Sequence, residues 1–105
     1  MDFKTIRTVE LAGGIGILTL NRPERRNAIS IEMRREIIQC LQRWKETETI
    51  GVTILTGAGD AFTAGFDLTE FARPELFSEI FRTSSAYHRE LWYFPKPTIA
   101  AVNAL

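Results

Sequence analysis

"GAGDAFTAGFDL", Gly57–Leu68, follows the short apolar run "VTILT", Val52–Thr56. It carries three glycines, a phenylalanine on each side of a Thr-Ala-Gly turn, and an aspartate near its end. So much bare backbone after a strand suggests a loop in which the main chain, not the side chains, meets a ligand. Two phosphate cradles fail on the residues. A P-loop needs Lys and Ser/Thr after its last glycine, and Gly65 is followed by Phe66-Asp67. A dinucleotide fingerprint needs a third glycine where Gly57-Ala58-Gly59 continues as Asp60-Ala61-Phe62. A different chemistry fits. Asp67 and Glu70 have capping-box spacing, with Asp67 in the cap role. The Phe66 amide then stands just before a helix N-terminus, where free N–H groups and the helix dipole favour negative charge. A rigid N–H there can stabilise a developing oxyanion. The same residues also suit an ordinary strand-to-helix connector, and the residues alone leave both open.

Working outward, "FKTIRTVEL" and "IGILTL" are β-rich runs separated by "AGG", which predicts a hairpin and makes "GGIG", Gly13–Gly16, its turn. "LNRPERRNAIS" is a loop, broken from the strand by Pro23. Ser30 is the expected N-cap of a first helix. Met33, Ile37, Leu41 and Trp44 share one face of it, while Arg34, Arg35 and Arg43 read as a solvated face. Val52–Thr56 reads as a strand buried on both faces. Pro74 suits the first turn of a second helix. Phe77, Ile80, Phe81, Ser84, His88 and Leu91 are its expected inner stripe. "FPKP" stops it, and "TIAAV" begins another buried strand. The pattern is α/β.

A chain of 105 residues fits one domain or part of one. Thirteen basic and thirteen acidic residues cancel. The first sixty residues hold nine basic and eight acidic ones, so no basic half points to nucleic acid or an anionic membrane. One cysteine, Cys40, excludes an internal disulfide and suits a reducing compartment. The N-terminus lacks the apolar core of a signal peptide. No apolar run approaches the roughly 20 residues of a membrane span. The expected location is cytoplasmic. No His/Cys cluster offers a metal site. Cys40 reads as a buried thiol, His88 as a structural histidine among core positions, and Trp44 and Trp92 as core or interface.

Three motifs in order, "ILTLNRPERRNAIS", "GAGDAFTAGFDLTEF" and "KPTIAAVNAL", resemble the N-terminal part of the crotonase superfamily, the enoyl-CoA hydratase/isomerase family. The resemblance implies a crotonase-like (ClpP/crotonase) spiral of ββα units, with residues 1–105 as the N-terminal portion of a single domain. It implies an acyl-CoA enzyme in which backbone N–H groups hold the thioester oxygen and stabilise an enolate-like intermediate. Phe66 matches the first oxyanion donor through its N–H. Ala64, Gly65, Asp67 and Leu68 match backbone that borders coenzyme A, with Asp67 more a cap than a base. Arg25, Arg26 and Ala28 match the loop along the CoA nucleotide. Arg25 and Arg26 either meet its phosphates or are solvated loop arginines. Coenzyme A enters as part of the substrate, with no separate cofactor. The full-length form is implied to be a homo-oligomer, a trimer or hexamer.

The family continues past this point with Asn-Gly and then a Gly-Gly-Gly run, where this chain reads Asn103-Ala104-Leu105. The second oxyanion donor and the acid/base glutamates of hydratases lie beyond. The expectation is therefore a truncated spiral, inactive by itself. Hydration of a 2-enoyl-CoA and a shift of its double bond suit the motifs equally. The alternative is a non-catalytic paralogue or fragment that only binds CoA or a partner chain.

Overall fold

The computed structural model describes residues 2–104. Its strands are β1 (Ile6–Leu11), β2 (Ile15–Leu20), β3 (Val52–Gly57) and β4 (Thr98–Ala100). Its helices are α1 (Ile31–Glu46), the single turn α2 (Leu68–Phe71) and α3 (Phe77–Trp92). The strands form one sheet in the order β1-β2-β3-β4. The expected hairpin is present: β1 pairs antiparallel with β2 from Ile6↔Leu20 to Leu11↔Ile15. A parallel neighbour needs a crossover, and α1 supplies it. β3 then lies parallel to β2 from Ile15↔Val52 to Leu20↔Gly57, and β4 lies parallel to β3.

The local chemistry explains the boundaries. Ser30 caps α1, its hydroxyl accepting the Met33 N–H at 3.1 Å. A 3₁₀ turn at Pro74–Leu76 feeds α3, in keeping with proline's fixed φ at a helix start. Lys96 of "FPKP" has a second task. Its ammonium donates to the carbonyls of Trp44 and, at 2.7 Å, Thr47. Both carbonyls also accept a backbone N–H, from Thr47 and Ile50, so Lys96 adds a cation at the C-terminal end of α1, where the helix dipole favours one.

The core lies between the sheet and the two long helices. Leu18 and Leu20 of β2 meet Met33, Ile37, Leu41 and Trp44 of α1, as the spacing predicts. Trp44 is fully buried and its indole N–H donates to Glu10 at 3.3 Å. The ring lies flat against bare backbone, since a Cβ on Gly16 would sit 2.8 Å from it. Cys40 is fully buried, and burial pushes its thiol up to about 12. It is a packing residue with almost no thiolate at neutral pH.

Several expectations about burial fail. In β3 only Thr53 is buried, and the rest of the strand is half-buried. β4 is exposed along its length, as an edge strand. The inner stripe of α3 is Ile80, Thr83 and Tyr87, with Leu91 half-buried. Phe77, Phe81 and His88 are exposed, and Ser84 is half-buried. Ile80, Thr83 and Tyr87 follow helical spacing along one face, Phe81 falls outside it, and the Thr83 hydroxyl accepts the Arg34 Nε–H of α1 at 3.0 Å. Trp92 is 83% exposed and is no part of the core.

Gly16→Ala should lower stability by about 1–3 kcal/mol, the usual cost of overpacking a close contact. Urea unfolding followed by Trp44 fluorescence measures it. An unchanged midpoint would mean that the ring is not seated on Gly16.

Candidate functional site

β2 and β3 end side by side, at Leu20 and Gly57. The loops that follow them lie against each other. Ala58 N–H donates to Leu20 O at 2.8 Å, and Ala64 N–H to Arg26 O at 2.9 Å. The Gly57–Leu68 loop folds back on its own start. A Cβ on Gly57 would lie 2.4 Å from the Ala61 and Phe62 carbonyls, so that glycine makes room. Gly65 serves differently. A Cβ there would meet nothing within 4 Å, but its φ of +91° is open to glycine and costly for other residues.

Asn27 joins the two loops. It is fully buried, with a φ of +56°. Its amide donates to Ala58 O at 2.9 Å and Ala61 O at 2.8 Å. Its side-chain oxygen accepts the Arg22 N–H at 2.8 Å. Its carbonyl accepts the Thr63 hydroxyl at 2.7 Å. An asparagine suits this position because it tolerates left-handed backbone and carries both donor and acceptor.

Two residues on, the loops form one rung of parallel pairing between Ile29 and Phe66. Ile29 N–H donates to Gly65 O at 2.8 Å, and Asp67 N–H donates to Ile29 O at 3.0 Å. In such a rung the paired bonds belong to the residues that flank Phe66. The Phe66 N–H therefore turns the other way. It donates to no group among the described residues.

Asp67 caps α2 as expected. One carboxylate oxygen accepts the Thr69 N–H at 3.0 Å and its hydroxyl at 2.6 Å; the other accepts Arg22 at 3.2 Å. Burial alone would raise its pKa. Hydrogen bonds from Thr69 and Arg22 outweigh that and hold it below the usual aspartate value. It is thus an ionised cap at neutral pH. The reciprocal half of the capping box is absent. Glu70 reaches α1 instead, both oxygens taking the Ile31 N–H at 3.0 and 3.2 Å. A carboxylate at that N-terminus also meets the favourable end of the α1 dipole.

Arg34 is the largest departure. It does not lie on a solvated face: it is 1% exposed. Nε donates to the Thr83 hydroxyl of α3 at 3.0 Å, and Nη1 to Ile29 O at 3.0 Å. The guanidinium carbon lies 4.4 Å from the centre of the Phe66 ring. Tyr87 meets the same ring edge-on at 6.4 Å, and His88 lies 6.0 Å from it. His88 is exposed, not a core histidine, and its Nδ1 lies 2.8 Å from Ser84 O.

Of the other candidates, Arg25 and Arg26 are exposed and their guanidinium groups have no partner among the described residues. Ala28 is half-buried, its carbonyl held by Arg22 at 2.7 Å. Ala64 and Leu68 are exposed on the same loop that carries Gly65 and Phe66. No cluster of three potential metal ligands occurs among the described residues. The sequence assigns no role of their own to Asn27, Arg22 and Thr83, and it puts Arg34 on a solvated face. Only Asn27 carries a readable signal: an asparagine between a loop and a helix cap, where left-handed backbone is common.

Comparison with known proteins places the chain among relatives. A family model described as enoyl-CoA hydratase/isomerase matches residues 10–105. A hydroxycinnamoyl-CoA hydratase-lyase of Pseudomonas fluorescens is 44% identical over 108 aligned positions, covering 96% of this chain and 39% of that protein. A 1,2-epoxyphenylacetyl-CoA isomerase of Escherichia coli (strain K12) is 39% identical, covering 88% of this chain and 37% of that protein. The crystal structure of an enoyl-CoA hydratase/isomerase from Xanthobacter autotrophicus Py2 superposes with a TM-score of 0.87 at 37% identity, covering 96% of this chain and 39% of that one. The chain thus spans about two-fifths of the length of these relatives.

Asn27→Asp should destabilise strongly, because the new oxygen would face the Ala58 and Ala61 carbonyls where a donor stood. Each buried group left unsatisfied costs about 1–3 kcal/mol. Urea titration reads the loss, and hydrogen exchange should show the Ala64 amide losing protection first. Wild-type stability and protection would show that Asn27 does not join the loops.

Proposed function

Since the chain belongs to the enoyl-CoA hydratase/isomerase family, we propose that it forms the thioester-holding part of an acyl-CoA enzyme. The Phe66 N–H donates to the thioester carbonyl oxygen and stabilises the enolate-like charge that develops there. One observation carries this. Phe66 offers an N–H with no partner among the described residues, on a backbone whose neighbours are pinned to Ile29. A donor fixed in advance costs little reorganisation when charge develops, which makes it effective in catalysis.

The surroundings suit the task. Gly65 has open space where a side chain would stand, so a carbonyl can approach the main chain. Ala28, Ala64 and Leu68 border the approach. Asp67 contributes through its backbone, since its carboxylate is taken up by Thr69 and Arg22. It holds the loop's shape and does not act as a base. Arg25 and Arg26, exposed and without partners among the described residues, supply cations for the phosphates of coenzyme A. Coenzyme A arrives with the substrate, and no other cofactor has a role. Hydration of a 2-enoyl-CoA and migration of its double bond both pass through such an enolate. Homo-oligomer formation belongs to the same proposal. Phe81, Trp92 and Tyr93 are 71%, 83% and 74% exposed and give α3 and its end an apolar surface for association.

Phe66→Pro removes the donor, and Phe66→Ala keeps it. In the intact gene product, the Pro variant should lose roughly 10²–10³-fold in kcat relative to Ala, the usual cost of one oxyanion donor. Circular dichroism checks folding, and titration with coenzyme A checks binding. A folded Pro variant that binds CoA and matches Ala in kcat would reduce the loop to a connector.

A further inference from the structure

A buried arginine is an expensive choice on α1. Removing a guanidinium from water costs several kcal/mol, and a methionine or leucine would pack at the same place without that cost. Here the cost is not fully offset. Nη2 of Arg34 is buried without a hydrogen-bond partner among the described residues. Thr83, its partner on α3, donates its own proton to Glu79 O at 2.8 Å, which leaves its lone pairs for Nε. The charge must therefore be doing something that an apolar side chain could not.

Its contacts converge on Phe66. Nη1 holds the Ile29 carbonyl, the same oxygen that accepts the Asp67 N–H. The face of the Phe66 ring lies over the guanidinium at 4.4 Å, a cation–π distance. Thr83 ties the assembly to α3 at 3.0 Å. Phe66 is thus gripped twice, by its main chain through the Ile29 rung and by its ring through Arg34. The rung alone fixes the peptide groups that flank Phe66. The Phe66 N–H lies in the Gly65–Phe66 peptide plane, opposite the carbonyl that Ile29 holds, so the rung sets its direction, and the ring contact keeps the rung from shifting or twisting.

We propose that Arg34 is a positioning residue that aims the Phe66 N–H by clamping the Phe66 ring and the Ile29 carbonyl together. The catalytic consequence rests on the thioester role of Phe66; the structural consequence does not. Arg34 need not touch substrate. It acts through Phe66, and a small misdirection of an oriented donor is enough to cost rate.

The test uses Arg34→Met, Arg34→Lys and Thr83→Val in the intact gene product, the first also combined with Phe66→Ala. With Arg34→Met, kcat should fall roughly tenfold or more while KM and the affinity for free coenzyme A stay within about twofold. The melting temperature should hold or rise, since a buried charge with an unpartnered nitrogen has gone. Arg34→Lys should lower kcat likewise, because an ammonium has no planar fork. In the Phe66→Ala background, Arg34→Met should add little, since the ring through which it acts is absent. The Phe66 amide resonance in a ¹H–¹⁵N spectrum should move in both Arg34 variants. That resonance separates the two ideas. If wild type shows no acyl-CoA turnover, the thioester role fails while the amide shift still decides on Arg34. A folded Arg34→Met protein with an unmoved Phe66 amide, or with effects on kcat that simply multiply with Phe66→Ala, overturns the proposal. Should Arg34→Met not fold, Thr83→Val removes one anchor and keeps the charge. An unmoved amide in that variant overturns it equally.

Discussion

The buried side chain of Asn27 is the constraint on which this architecture turns. Parallel strands end on the same side of a sheet, so the loops after β2 and β3 emerge together. Nothing in strand pairing alone would hold them in register. Asn27 does so with two donors to one loop and an acceptor for the other. Its own carbonyl, taken by Thr63, completes the junction. An apolar residue would leave the Ala58 carbonyl and the Arg22 N–H without partners in the interior, a loss of about 1–3 kcal/mol for each, and the Ala61 carbonyl with only a long bond from Asn103 at 3.4 Å. With the loops joined, Ile29 can meet Phe66 as a single rung, and the Phe66 N–H faces away from it.

Around that junction the chain spends charge where a plain core would use hydrocarbon. Arg22 holds both the Ala28 carbonyl and the Asp67 carboxylate. Glu70 caps the neighbouring helix and not its own. Arg34 runs beneath Phe66 from α1 to α3. Buried ionic groups add little net stability compared with apolar packing. They do define direction, which apolar contacts do poorly. The rest of the core follows the opposite rule. Leu18, Leu20, Met33, Ile37, Leu41 and Trp44 form an ordinary apolar cluster, and Gly16 accommodates the Trp44 ring. The rigid part of the molecule is hydrocarbon, and the part that presents backbone is polar.

Much of this was legible in the residues. The hairpin, the Ser30 cap, the apolar stripe of α1 and the Asp67 cap all follow from local chemistry, and local chemistry prevailed there. What escaped depended on partners far away in the chain. Arg34 sits beside Arg35 and reads as solvated until Thr83, forty-nine positions on, is seen to face it. The inner face of α3 is hidden in the sequence for the same reason, because a threonine at position 83 does not announce that Arg34 faces it. Glu70 has the spacing to cap its own helix, yet α2 is one turn long and the α1 N-terminus lies within reach. β3 and β4 read as fully buried because apolar runs do not reveal how many faces of a sheet are covered. The Phe66 N–H could be named from its place before a helix cap. That it donates to no group among the described residues could be seen only once the Ile29 rung was in view.

The central claim is that this freed N–H is where a thioester carbonyl is held. A crystal structure of the intact gene product with a stable acyl-CoA analogue tests it most directly. The carbonyl oxygen of the analogue should lie about 2.7–3.1 Å from the Phe66 nitrogen, the range of a working oxyanion donor, with Asn27 and Arg34 keeping their partners. An analogue bound with its carbonyl elsewhere, and the Phe66 N–H turned to water or to another protein group, would contradict the claim.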